Sequence, residues 1–297
     1  MTLLRYAGVR LCATHFTRSV EARVKAELRR QLDLGQVERI GVAVSGGKDS
    51  ATCAAILADV VGPRRRPELV AIAVDEGIPG YRDRALETCR AAMERLGLPL
   101  HVARHEDRFG LTTDDAARLD PERAPCAACG PWRRAVLNDA ARRLGCDVLA
   151  TGHNLDDMAQ SILMDLLKGD LGRLARLAPH APDERVEGLV PRILPLRTIP
   201  ERETALYAHL RARHAGTPRG SPGARAGRGR VRDLLLRLVE DDPTVRHTLL
   251  ATADRLRPLL RTQPAAPPSS CRTCGDPAGT GPLCQACALA AALQPAR

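Results

Sequence analysis

A doubly wound parallel α/β sheet with a small metal-bound tail is the fold this sequence predicts, on three observations. Short β-branched apolar runs at residues 37–44, 69–74, 99–103 and 146–150 alternate with helix-forming stretches, the pattern of successive βαβ units. The first run breaks into Ser45-Gly46-Gly47-Lys48-Asp49-Ser50 and continues as a helical stretch from Ala51. A strand, a glycine turn and a helix N-terminus form an anion site, because backbone N–H groups and the helix dipole face the negative charge together. Two C-x2-C pairs, Cys271/Cys274 and Cys284/Cys287, lie nine residues apart near the end of the chain. That spacing, with glycines between the pairs and few apolar residues around them, reads as a four-thiolate zinc ribbon that folds on its metal.

Composition narrows the class. The chain has 297 residues and a net charge of +10, from 45 Lys+Arg against 35 Asp+Glu. That length suits one main core with small additions, and that charge suits a polyanionic partner. A coding bias toward arginine and alanine contributes to the same excess. No apolar run reaches the length of a membrane span and no secretory signal opens the sequence. Ten cysteines in close-spaced motifs point to metal or catalysis in a reducing, cytoplasmic setting rather than to disulfides.

Taken in order, residues 1–35 read as a partial N-terminal finger followed by a charged amphipathic helix over 19–34. Cys12-x2-His15 is half of a tetrahedral zinc site, and no Cys or His precedes it. At the glycine turn, Ser45 and Ser50 offer hydroxyls and Lys48 a point charge for oxyanions. The spacing is not that of a Walker A loop. Residues 62–67 form a basic turn. The second strand ends in Asp75-Glu76-Gly77-Ile78, which borders a ligand bound at the carboxyl ends of the strands. A helix over 83–96 stops at Gly97.

Cys126 and Cys129 precede Gly130-Pro131-Trp132-Arg133-Arg134. Pro131 fits the first position of a helix running to residue 144. Thiols at a helix start beside arginines are acidified, hence nucleophilic or metal-binding, and the pair alone fits a redox couple, a zinc half-site or iron–sulfur ligation. The strand at 146–150 delivers Thr151-Gly152-His153-Asn154-Leu155-Asp156-Asp157. The two aspartates cap the next helix, and one of them is also placed to bind Mg²⁺ or act as general base. A last strand is expected over 189–196 and a helix over 201–213. Residues 216–230, with five Gly and four Arg, read as a flexible basic loop suited to RNA phosphates or a plain linker. Helices over 231–240 and 244–260, a linker at 262–270 and the ribbon at 271–291 complete the chain.

Ser45 to Ser50, Pro125-Cys126-x2-Cys129-Gly130, Thr151 to Asp157 and the terminal cysteine pairs together resemble the TtcA/TtuA family of tRNA thiolation enzymes, in its 2-thiouridine branch. Asp75 to Ile78 and Gly80-Tyr81-Arg82 extend the resemblance over nearly the whole chain. It implies a Rossmann-like PP-loop ATP-pyrophosphatase domain at 36–215, of the adenine nucleotide alpha hydrolase type. It further implies ATP with Mg²⁺, adenylation of a tRNA uridine O2, and replacement of AMP by sulfur. By the same resemblance Ala43, Ser45, Gly46, Gly47, Lys48, Asp49, Ser50 and Gly152 bind the nucleotide. Asp157 orients or deprotonates the base, Arg133 steadies phosphate, and Cys126 and Cys129 deliver sulfur. The family often holds a [4Fe-4S] cluster on these two cysteines and a third, and takes sulfur from a ubiquitin-like carrier protein. A homodimer is compatible with it.

The sequence departs from the family in two places. Thr217 stands where the third cluster cysteine is expected, so the pattern supplies two of three thiolates. The first C-x2-C of the N-terminal finger is missing, which reads as an internal start at Met1. Another PP-loop ligase would keep the phosphate turn but have no use for Cys126 and Cys129. A catalytically impaired tRNA-binding paralogue would fit the missing ligand, and a redox module on the two cysteines would leave the turn unexplained.

Overall fold

In the computed structural model, residues 1–61, 66–122, 126–180, 186–211, 226–261, 269–279 and 281–294 are described, 126 and 226–228 by their backbone alone. The chain opens with an antiparallel hairpin, β1 (Thr2–Leu4) and β2 (Val9–Leu11). It turns at Gly8, whose φ of 65° lies in the left-handed region open to glycine. Helix α1 (Ala13–Gln31) follows, with Cys12 at its N-cap, and so starts six residues earlier than the sequence suggests. Phe16, Val20, Val24 and Leu28 form its buried stripe. Spacings of four residues keep them on one face, and each contributes about 1.5–3 kcal/mol by leaving water.

The alternating core then runs β3 (Arg39–Ala43), α2 (Lys48–Val61), β4 (Glu68–Asp75), α3 (Arg82–Leu96) and β5 (Leu100–Arg104). Two short helices, α4 (His105–Phe109) and α5 (Thr113–Leu119), lead to α6 (Cys126–Arg143). Beyond it lie β6 (Val148–Ala150), α7 (Leu155–Leu167), α8 (Leu171–Ala175), β7 (Arg192–Ile193) and α9 (Glu201–Leu210). Helices α10 (Ala226–Asp241), α11 (Val245–Arg261) and α12 (Gln285–Leu293) complete the described chain. The five strands of the main sheet order as β5-β4-β3-β6-β7, every neighbouring pair parallel. This is the doubly wound sheet expected, with its order reversing beside β3, where such sheets bind ligands.

One sheet face buries Phe16, Leu57, Met93 and Tyr207 from α1, α2, α3 and α9. The other packs Ile72 and Leu149 against Ala140 and Ala141 of α6. Helices α7, α8 and α11 share a separate apolar cluster around Leu155, Ile162, Leu174 and Leu250.

Three expectations are corrected here. Helix α6 begins at Cys126, so Pro131 lies inside it; the missing N–H leaves the Ala127 carbonyl without its helical donor. Helix α10 begins at Ala226, so the end of the expected basic loop is helical, while residues 212–225, Thr217 among them, lie outside the described residues. The last strand spans two residues instead of eight.

The cysteine-rich tail packs against α6 rather than standing apart. Cys271, Cys284 and Cys287 share an apolar cluster with Val74, Phe109 and Trp132. Trp132 is fully buried, stacks on Phe109 at 4.9 Å between ring centres, and donates its indole N–H to the Ala286 carbonyl at 3.0 Å. Arg108 joins the two pieces by polar contacts, at 2.6 Å to the Ala135 carbonyl of α6 and 2.6 Å to Asp276.

Candidate active site

The turn from β3 into α2 is held by its own side chains. The Ser45 N–H donates to Ser50 Oγ at 3.1 Å, and Ser50 Oγ donates to the Gly47 carbonyl at 3.0 Å. Gly46 adopts φ 82°, and a Cβ there would stand 2.6 Å from the Ala85 carbonyl oxygen. Any side chain at this position meets both backbone strain and backbone atoms. Gly152, at the end of β6, is needed for a different reason: its Cβ would come within 2.8 Å of the Ser50 nitrogen. The two loops therefore meet backbone to backbone at the N-terminus of α2.

They open on a cavity of about 470 Å³, a volume that suits a nucleotide. Ala43, Ser45, Gly47, Asp49, Ser50, Gly152 and Asp157 line it on one side, with Gly130, Arg133 and Arg134 of α6 on the other. Val44, Ile72 and Val74 form an apolar wall. The turn that follows Cys129 thus reaches the same space as the phosphate turn. Cys129 is half-buried, and Cys126 begins α6, its side chain outside the described residues.

Glu76 and Arg82 tie the cavity together. They form a buried ion pair at 2.9 Å. Arg82 also donates to the Ser45 carbonyl at 3.2 Å, and the Arg133 guanidinium lies 3.6 Å from Glu76. One carboxylate therefore orients two cations, on α3 and α6, around the phosphate turn.

Lys48 departs from expectation. Its ammonium lies 2.8 Å from Asp49 and 3.0 Å from Glu201 at the start of α9. It lines a neighbouring cavity of about 660 Å³, beside Asp156, Glu201, Arg246 and the N-terminal hairpin. Burial alone would lower its pKa, but the two carboxylates outweigh burial and raise it, so the cation is firmly held. Asp49 is further engaged by the Thr204 hydroxyl.

Asp157 forms a capping box with Asn154: its own N–H donates to Asn154 Oδ1 at 3.0 Å, and the Asn154 N–H returns to Asp157 Oδ2 at 3.2 Å. It also borders the cavity, so capping and access to a ligand coexist. Asp156 is structural: it accepts from the Glu201 N–H at 2.7 Å and pairs with Arg246.

The four terminal cysteines converge, with all Sγ atoms within 4.8 Å of one another and Cys274 and Cys284 at 3.7 Å. A tetrahedron with zinc–sulfur arms of about 2.3 Å has edges of about 3.8 Å, so the donor set fits zinc. Burial pushes the Cys274 thiol up to about 11, and burial beside neighbouring sulfurs raises Cys287 further. At Cys271, burial is outweighed by backbone hydrogen bonds, which lower the thiol to about 6; four thiolates this close are stable together only around a cation. Cys12 Sγ and His15 Nδ1 approach to 3.1 Å on the first turn of α1. Among the described residues the terminal cysteines are the one group of three or more close metal ligands.

Arg134 and Arg192 line the cavity without having been singled out in the sequence. Arg192 opens the two-residue strand β7, too short to mark it in the sequence.

A sheet of this order, with a glycine turn and a shared cavity at its switch point, defines a nucleotide-binding α/β protein. Residues 16–211 match the PP-loop domain family. The tRNA 2-thiolation protein NcsA of Haloferax volcanii is 37% identical over 300 residues, covering 96% of this chain and 93% of its own. Cytoplasmic tRNA 2-thiolation protein 1 of Bos taurus is 40% identical over 291 residues, covering 95% and 82%. The U34-tRNA thiolase NcsA of Methanococcus maripaludis, solved with its [4Fe-4S] cluster, superposes with a TM-score of 0.82 at 29% identity, over 97% of this chain and 92% of that one. The chain belongs to the PP-loop family and, within it, to the tRNA 2-thiolation proteins. No described helix is long and apolar enough to cross a membrane.

Proposed function

We propose that the chain is an ATP-dependent tRNA thiolase that adenylates O2 of a uridine, releases pyrophosphate and replaces the adenylated oxygen by sulfur. One observation carries the reading: the phosphate turn Ser45–Ser50 and the α6 turn that follows Cys129 open on one cavity. A simple PP-loop ligase would have no need of thiols there. The names of the relatives point the same way.

The apolar wall at Val44, Ile72 and Val74 holds the adenine, and the N–H groups of the glycine turn hold phosphate oxygens. Asp157, in reach of the cavity, orients the uridine or takes its N3 proton as O2 attacks the α-phosphorus. Arg133, set by Glu76, stabilises the charge on the transferring phosphoryl group. When bound with ATP, Mg²⁺ neutralises the leaving pyrophosphate, and Asp49 and Asp157 are the carboxylates that would hold it. Lys48 reaches the phosphates only after leaving Glu201. Its role there and the zinc at the terminal cysteines belong to this proposal.

Cys126 and Cys129 supply two thiolates, and Thr217 stands where the family resemblance places the third ligand of a [4Fe-4S] cluster. A persulfide on one of the two cysteines, received by trans-persulfidation from a carrier protein whose own persulfidated cysteine leaves as a thiolate, attacks C2 and expels AMP. The second thiolate then takes the first cysteine's sulfur, releasing the thiocarbonyl and leaving a disulfide that an external thiol reduces. Residues 216–230 are the stretch expected to meet RNA phosphates.

Nucleoside mass spectrometry of tRNA from a deletion strain tests the reading. Loss of 2-thiouridine, restored by the wild-type chain and not by Cys129→Ser, is expected; unchanged 2-thiouridine would overturn it.

A further inference from the structure

Four arginines line the nucleotide cavity, and three are spoken for. Arg82 is paired with Glu76, Arg133 lies beside the same carboxylate, and Arg134 has a partner. Arg192 differs. Its backbone bonds His180, its N–H reaching Nδ1 at 3.2 Å and its carbonyl accepting the His180 N–H at 3.0 Å. Among the described residues, no hydrogen bond or ion pair reaches its guanidinium. Burial alone acts on that group, lowering its pKa with no carboxylate to offset the loss of water.

The sheet fixes where it stands. Arg192 pairs with Leu149 across β6 and β7, and Leu149 packs on the α6 face of the sheet. The next residue, Ile193, is buried in the core of the opposite face. Alternation along the strand therefore sets Arg192, the first residue of β7, on the α6 side of the sheet, where it lines the same cavity as Thr151 and Gly152. A half-buried guanidinium that lines the cavity with no protein counter-ion is available to an anion that enters it. Its planar fork suits the oxygens of a phosphoryl group.

We propose that Arg192 binds a phosphate oxyanion of the nucleotide that occupies this cavity. The assignment rests on reading the cavity as the ATP site. Phosphate could also arrive on the RNA backbone. The nucleotide is favoured because Arg192 lines the same cavity of about 470 Å³ as Ser45, Gly47 and Ser50.

The experiment measures ATP and adenosine affinity by calorimetry on the full chain without tRNA, and tRNA affinity without ATP. A charge-assisted contact of this kind predicts that Arg192→Gln weakens ATP by about ten- to a hundredfold, with Arg192→Lys recovering part of the loss. Adenosine and tRNA should bind as before. Arg192→Met should leave the nucleotide-free protein as heat-stable as the wild type, because the guanidinium has no protein partner to lose. Unchanged ATP binding, a loss confined to tRNA, or a lowered melting temperature in Arg192→Met would each overturn the assignment. None of these readouts depends on sulfur transfer, so failure of thiolation alone would leave Arg192 standing.

Discussion

Trp132 couples the terminal cysteine knuckle to the helix that carries Arg133 and Cys129. Its indole is fully buried between Phe109, His105 and the knuckle, and its N–H satisfies the Ala286 carbonyl at 3.0 Å. Trp132→Ala removes the largest buried side chain of that cluster, a change that costs about 3–5 kcal/mol, with about 1 kcal/mol more for the orphaned carbonyl. Against a typical domain stability of about 5–15 kcal/mol this is a large share. Trp132→Phe keeps much of the ring packing and should lose about 1–2 kcal/mol, mainly the hydrogen bond and the lost contact area.

Stability alone would not show coupling, so the assay is a double-mutant cycle read by thermal or denaturant unfolding. Cys284→Ser opens the cysteine knuckle, and Trp132→Ala removes its anchor on α6. If the two act through one interface, the double variant loses less than the sum of the single losses, by about 0.5–3 kcal/mol. Strict additivity would mean that the knuckle folds as an independent appendage and would refute the coupling.

Other outcomes follow from the site. Lys48→Ala should cut tRNA-dependent pyrophosphate release at least tenfold, as expected for a lost charge near a transferring phosphoryl group; release of ADP and phosphate by the wild type would contradict adenylation. His105 is buried against Trp132, and burial lowers its pKa from 6.5 to about 3. The unfolded chain therefore binds a proton that the folded one refuses, so this contribution is present above pH 6.5 and is lost as the pH falls toward 3. His105→Phe should flatten the stability profile in that window, and an unchanged slope would contradict the burial argument. Anaerobic iron–sulfur reconstitution should give fewer than four stable irons per chain, with Thr217→Cys raising the amount; a full, stable complement in the wild type would contradict the two-thiolate reading.

The local parts of this molecule were legible in its sequence. The glycine turn, the strand and helix on either side of it and the four-cysteine spacing each depend on residues adjacent in the chain. Contacts made across the fold were not. Lys48 looks like a phosphate ligand until Glu201, 153 positions away, is seen to hold it. The anchoring of the tail on α6 depends on Trp132 meeting Ala286, which no periodicity announces. Pro131 suggested a helix start because proline favours the first turn, yet α6 begins five residues earlier, at Cys126. Arg192 was hidden because its strand is two residues long, too short for any alternation to register.

The most direct test of the central claim follows the uridine oxygen. Transfer RNA carrying heavy oxygen at O2 of the target uridine is incubated with the chain, ATP and a sulfur donor, and the nucleotide products are weighed by mass spectrometry. Adenylation at O2 predicts that the label leaves on AMP, one label for each thiouridine formed. Unlabelled AMP, with the label in water or retained in the RNA, would contradict it.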